Sequence, residues 1–140
     1  MVKSILVLTI IAVSFFLGII FNKVTECEAG CRSELKTVAA SEFFKQLSDI
    51  KSYVIDVRTP EEYATGHIKN SVNADFRNTQ QFNKFLDSLS KNGRYLVYCR
   101  SGNRSEQAMQ LMGEKGFRNV TNLSGGILAW QAAGYPIATD

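Results

Sequence analysis

The stretch from Tyr95 to Gly113 (Y-L-V-Y-C-R-S-G-N-R-S-E-Q-A-M-Q-L-M-G) constrains this chain more than any other. Tyr95-Leu96-Val97-Tyr98 is a compact aromatic and aliphatic run, as a buried interior strand requires. Cys99 follows directly. Arg100-Ser101-Gly102-Asn103-Arg104 then holds small and flexible residues that can turn tightly. From Ser105 the pattern becomes helical: Ala108, Leu111 and Met112 share one face, and Glu106, Gln107, Gln110 and Glu114 lie elsewhere. Gly113 and Gly116 can end that helix. A cysteine therefore stands at the carboxyl end of a strand, opposite a helix N-terminus. Open α/β sheets hold their ligands at such a place.

The same alternation runs along the chain. Leu35–Ala39 reads as a short edge strand. Ser41 is a good helix N-cap, and Phe43, Phe44 and Leu47 continue an amphipathic helix to near Asp49. Tyr53–Val57 is a buried strand. Thr59-Pro60-Glu61-Glu62 starts a helix: a cap, proline at the first position, then acids at the positive dipole end. Gly66 stops it. His67-Ile68 and Ser71–Ala74 read as a third strand. Thr79–Leu89 carries Phe82, Phe85, Leu86 and Leu89 on one helical face. Asn119–Leu123 is the last strand and Ile127–Ala133 the last helix, stopped by Gly134-Tyr135-Pro136. Strands separated by helices imply an α/β fold with a mostly parallel central sheet of about five strands, helices covering both faces.

Ahead of this lies an apolar segment. Ser4 to Phe21 is uncharged over 18 residues, about 27 Å as a helix at about 1.5 Å per residue. That length matches a bilayer core, so residues 1–22 read as a signal peptide or an N-terminal membrane anchor. Residues 23–34 form a polar linker carrying Cys27 and Cys31, with small residues that permit cleavage after Ala29. Residues 35–140 form one domain. Lys3 before the segment favours a cytoplasmic N-terminus. The domain is then exported, periplasmic or otherwise extracytoplasmic, and held at the membrane through residues 4–21 if they are not cleaved.

The chain of 140 residues carries a net charge of +3. That balance, without a basic stripe, argues against a nucleic-acid partner. His67 is the only histidine, and no cysteine–histidine set has metal-ligand spacing, so neither metal nor cofactor is expected. If Cys99 reacts, something other than a histidine base must ionise it. A loop that turns back on itself aims successive backbone N–H groups at one point, and a helix N-terminus adds its dipole. Arg100 and Arg104 add positive charge. These features together can produce a thiolate at neutral pH. The alternative is a buried structural thiol. Asp56 and Arg58, a charged pair at a strand end, read as a brace for the loop rather than as catalysts.

Cys99-Arg100-Ser101-Gly102-Asn103-Arg104-Ser105 resembles the active-site loop of single-domain rhodanese-type sulfurtransferases. Asp56-Val57-Arg58-Thr59-Pro60-Glu61-Glu62-Tyr63 with Gly66-His67-Ile68 is similar to that family's upstream motif. Leu123-Ser124-Gly125-Gly126-Ile127-Leu128-Ala129-Trp130 with Gly134-Tyr135-Pro136 is similar to its closing motif. Lys69-Asn70-Ser71 departs from the usual Pro-Gly-Ala-like turn. The resemblance implies a rhodanese-like fold and a Cys99 nucleophile that carries a persulfide between a small anionic donor, such as thiosulfate, and a cyanide or thiol acceptor. It implies that Arg100, Ser101, Gly102, Asn103, Arg104 and Ser105 bind substrate. A monomer is expected. The other readings are a non-catalytic rhodanese-like binding module and a phosphatase or arsenate reductase.

Loop length separates the last of these. Four residues lie between Cys99 and Arg104, whereas the phosphatase-like members have five and a wider pocket. Inserting one glycine between Gly102 and Asn103 is expected to leave the fold intact. Sulfur transfer should fall on the order of 100-fold, because misplaced donors lose their grip on one atom. Steady-state rates beside thermal unfolding of both proteins test this. A folded variant at the parent rate would remove loop length as the selector.

Overall fold

The computed structural model describes residues 34–48 and 51–139. The apolar segment and the linker cysteines lie outside the described residues. Among the described residues, no helix is long and apolar enough to cross a membrane. The elements run β1 (Glu34–Val38), α1 (Ala40–Leu47), β2 (Ser52–Asp56), α2 (Pro60–Ala64), β3 (Val72–Asn73), α3 (Thr79–Asp87), β4 (Arg94–Tyr98), α4 (Asn103–Glu114), β5 (Asn119–Leu123) and α5 (Gly126–Ala132). The sheet order is β1-β5-β4-β2-β3, and every pairing is parallel. The α/β architecture is the expected one.

Alternation along the strands builds two cores. Val54, Leu96, Tyr98 and Leu123 pack with Phe43 of α1 and with Ile127 and Trp130 of α5. Ile55, Tyr95, Val97 and Val120 pack with Phe82 and Leu86 of α3 and with Ala108, Met109 and Met112 of α4. A period of two in the strands meets a helical stripe on each side. Strand order then places the site. From β2 the chain moves outward to β3, and from β4 it moves the opposite way to β5. The loops leaving the carboxyl ends of β2 and β4 part, and Cys99 follows β4 at that crevice.

Several local expectations shift. The N-cap of α1 is Ala39, not Ser41: the Glu42 and Phe43 N–H groups donate to the Ala39 carbonyl, and no side chain caps the helix. The third strand is shorter than expected. His67 is drawn away to an antiparallel bridge with Ala138, and the Ile68 N–H donates to Tyr98 Oη at 3.0 Å. α4 begins two residues before Ser105 and runs through Gly113. Gly113 serves packing instead of termination, because a Cβ there would run into the Leu35 side chain. Gly116, at φ +87°, follows the end of the helix.

The α1–α5 layer rests on Phe43, which is fully buried and meets Trp130 edge-on with ring centroids 6.2 Å apart. Replacing Phe43 by Ala should cost about 3–5 kcal/mol. Urea unfolding should show a lower midpoint with an unchanged slope.

Candidate active site

Cys99 is 1% exposed and is a free thiol. Its sulfur accepts from the Gly102 N–H at 3.1 Å and from Ser105 Oγ at 3.4 Å. The loop takes this shape because its outer side is held. The Cys99 carbonyl accepts from Ile127 N–H at 2.9 Å, and the Arg100 carbonyl accepts from Leu128 N–H at 3.3 Å. These are first-turn donors of α5, which no carbonyl of their own helix can satisfy. In a trans peptide the N–H points opposite to the C=O. Fixing the Cys99 and Arg100 carbonyls toward α5 therefore turns the following amides inward. Gly126, at φ +59°, lies so close that a Cβ would collide with the Cys99 carbonyl oxygen and the Arg100 backbone. Gly102, at φ +96°, makes the turn into α4.

Burial pushes the Cys99 thiol up. The Ser105 hydroxyl and the N–H groups of Ser105, Ser101 and Gly102 more than reverse this, and the thiol ionises below its ordinary range. The Ser105 hydroxyl lies 3.0 Å from the Gly102 carbonyl as well as 3.4 Å from the sulfur. Its single proton serves one acceptor at a time.

Two ion pairs flank the loop. Asp56 and Arg58 are buried at the end of β2, with Arg58 Nη2 2.6 Å from Asp56 Oδ2. The same nitrogen donates to the Gly66 carbonyl at 2.8 Å, which ties the turn after α2 to the sheet. Burial opposes the charge on Arg58, but the hydrogen bond and charge of Asp56 hold its pKa above the ordinary value. The second pair departs from expectation. The sequence reading places Arg104 on the anionic donor, whereas the structure places both of its terminal nitrogens on Glu62, each at 2.7 Å. This fork-to-fork geometry is a strong form of carboxylate pairing. Glu62 also accepts from the Thr59 N–H at 3.2 Å, closing a capping box. Its carboxyl is held down to about 2, chiefly by the Arg104 hydrogen bond. Arg100, Ser101 and Asn103 are exposed.

Sequence reasoning brought Cys99, Gly102 and Ser105 together. It missed Glu62 as the Arg104 partner, because the two lie 42 positions apart and Glu62 already explained itself as a helix-start acid. It also missed Asn122, buried on β5, whose amide lies 3.5 Å from the Gly102 carbonyl. Among the described residues, no cluster of histidine, cysteine and carboxylates is placed to hold a metal.

A family model of the rhodanese-like domain matches residues 39–133. The chain belongs to this family. A tRNA uridine(34) hydroxylase of Pelagibacter ubique is 42% identical over 84 residues, covering 60% of this chain and 28% of that protein. Its namesake in Chlamydia abortus is 32% identical over 114 residues, covering 77% and 35%. The chain spans about a third of the length of these curated relatives. Among solved structures, a rhodanese-related protein from Thermoplasma volcanium is similar with a TM-score of 0.63 and 30% identity, covering 78% of this chain and 99% of that one.

In this rhodanese-like domain the Glu62–Arg104 pair carries a pH signature. The Glu62 carboxyl titrates at about 2 when folded, against an ordinary 4.5. The unfolded chain therefore binds its proton more readily. The pair's contribution is complete above about 4.5 and is lost as pH falls through about 2. Glu62→Gln should lower stability at neutral pH and flatten its fall across that acid window. Denaturant midpoints measured at several pH values check this.

Proposed function

We propose that this rhodanese-like domain is a sulfurtransferase working through a Cys99 persulfide. The carrying observation is a buried cysteine sulfur on which fixed donors converge, with no histidine base involved. The Cys99 thiolate attacks the outer sulfur of thiosulfate, and sulfite leaves with the electron pair of the broken S–S bond. Cyanide or a thiol then takes the terminal sulfur, and the thiolate returns. This is covalent catalysis in two half-reactions. The inward N–H groups of the loop stabilise thiolate and persulfide alike, and exposed Arg100 attracts the anionic donor. Arg104 acts through Glu62 as a clamp on the loop. A phosphatase or arsenate reductase needs the wider loop that this chain lacks, and a module that only binds a partner has no use for an acidic thiol.

The names of the curated relatives favour a second reading, hydroxylation of a tRNA uridine. It would restore nucleic acid as a partner. The two readings part on location as well as on chemistry. Export through residues 1–22 would carry the domain away from tRNA, and a reporter fused after Asp140 that works only in the cytoplasm would argue against export.

Incubating the full chain with thiosulfate should add one sulfur atom to its intact mass, and cyanide should remove it. Cys99→Ser should abolish both the adduct and the turnover, whereas Cys27→Ser and Cys31→Ser should retain them. Substantial transfer by the Cys99→Ser protein would end the persulfide mechanism. An oxidised uridine appearing in tRNA, with no sulfur adduct, would favour the second reading.

A further inference from the structure

Three donors approach the Gly102 carbonyl. The Glu106 N–H donates to it at 3.0 Å as the first hydrogen bond of α4. Ser105 Oγ lies 3.0 Å away and Asn122 Nδ2 3.5 Å away. A carbonyl oxygen offers two lone pairs. The helix takes one, so Ser105 and Asn122 face the other. Ser105 also has a second acceptor, the Cys99 sulfur at 3.4 Å. Ser105 is fully buried, and its one proton is divided between carbonyl and sulfur.

Asn122 reaches this place from β5 and is 1% exposed. Its Nδ2 also lies 3.2 Å from Thr37 Oγ1 of β1. Its Oδ1 is buried and meets no hydrogen-bond donor among the described residues. Turning the amide over would set Oδ1 against the Gly102 carbonyl, which only accepts. The amide therefore presents its N–H groups to Gly102 and leaves its own oxygen orphaned. A buried polar atom without a partner is destabilising, and an apolar side chain of the same shape would avoid that loss. Packing alone does not account for an asparagine at this position; a donor aimed at the Gly102 carbonyl does.

We propose that Asn122 is a positioning residue that releases the Ser105 hydroxyl from the Gly102 carbonyl to the Cys99 sulfur. A neutral thiol is a weak acceptor, so beside it the hydroxyl rests on the carbonyl at 3.0 Å and Asn122 stands off at 3.5 Å. When the sulfur is charged, the hydroxyl turns to it, because hydrogen bonds to ions are roughly twice as strong as neutral ones. Asn122 Nδ2 then closes on the lone pair that Ser105 vacates, and the buried carbonyl keeps two donors. No proton changes owner; Ser105 remains a hydroxyl and only its hydrogen bond moves. The inference rests on the thiolate that the sulfurtransferase reading requires, but its test needs no sulfur transfer.

The experiment follows alkylation of Cys99 by iodoacetamide against pH in the full chain, read from the mass of the peptide that carries Cys99. Four proteins are compared: the parent, Asn122→Leu, Ser105→Ala and the double variant. Asn122→Leu should raise the midpoint by about 0.5 to 1 pH unit, and Ser105→Ala by at least as much. In the Ser105→Ala background, Asn122→Leu should add less than about 0.2 unit. A side chain that only packs would shift the midpoint alike in both backgrounds, so equal shifts, or no shift in either, overturn the proposal. The charges around the loop are Arg100, the Arg104–Glu62 pair and the Arg58–Asp56 pair. All four proteins retain them, so their influence cancels in the comparison. A second arm leaves position 122 unchanged. By NMR, a side-chain amide proton of Asn122 should move downfield with the midpoint found by alkylation, and Ser105→Ala should suppress that movement. An amide indifferent to Cys99 ionisation overturns the proposal. Failure of the sulfurtransferase reading looks different: thiosulfate leaves no sulfur on Cys99, while the coupling between Asn122 and Ser105 still supports the role assigned here.

Discussion

The first turn of α5 holds the outside of the cysteine loop, and the rest of the site depends on that contact. Two orphan N–H groups of a helix are satisfied by the carbonyls of Cys99 and Arg100. Because peptide groups are planar and trans, this single constraint decides which way the loop amides face. It also explains the glycine at position 126, where any side chain would strike the loop backbone. The Gly-Gly step that opens the last helix therefore belongs to the architecture of the candidate site. Buried Trp130 and Ile127 anchor the same helix in the core, and thereby anchor the loop.

The charged residues near the loop divide into two kinds. Arg58 and Arg104 are turned inward on carboxylates and carry architecture: one ties the turn at Gly66 to β2, the other ties α4 to α2. The Asp56–Arg58 pair is almost wholly buried. Removing either partner would leave an uncompensated charge in the interior, a loss of about 3–5 kcal/mol. Arg100 alone in the loop keeps its charge outward.

The fold was legible in the chain because patterns of local origin agreed with one another. Continuous apolar runs such as Tyr95–Tyr98, a cap and proline at Thr59-Pro60, and a helical stripe at Phe82 and Leu86 each point to one element, and their order points to a parallel sheet. What was lost depended on distant partners. Ser41 looked like a cap, but the Ala39 carbonyl takes the first helical N–H groups and the cap falls two residues earlier. His67-Ile68 looked like a strand start, but Ala138 and the Tyr98 hydroxyl claim those backbone groups. Gly113 looked like a helix end, but it admits Leu35. In the site, the thiol and its loop were visible because they are contiguous. The destination of Arg104 was not, since a guanidinium suits an anionic donor and a carboxylate equally well and only the folded chain chooses.

That choice changes how the thiolate is to be understood. With Arg104 committed to Glu62 and Arg58 to Asp56, no full positive charge is bonded to the Cys99 sulfur. Its acidity comes from the Ser105 hydroxyl and three backbone N–H groups acting against a burial penalty. Dipoles held by the fold do not reorganise when charge moves onto or off the sulfur, which is the condition under which they assist a reaction most. They also act at hydrogen-bond range inside a buried site, where dissolved ions screen poorly. On the proposed sulfur-transfer reading, Cys99 would cycle between thiolate and persulfide, two anions centred within one S–S bond, about 2 Å, of each other. A cradle of several fixed donors facing the sulfur from different directions can serve both positions, because no single donor has to follow the charge. A single salt bridge would favour one of the two positions and resist the other.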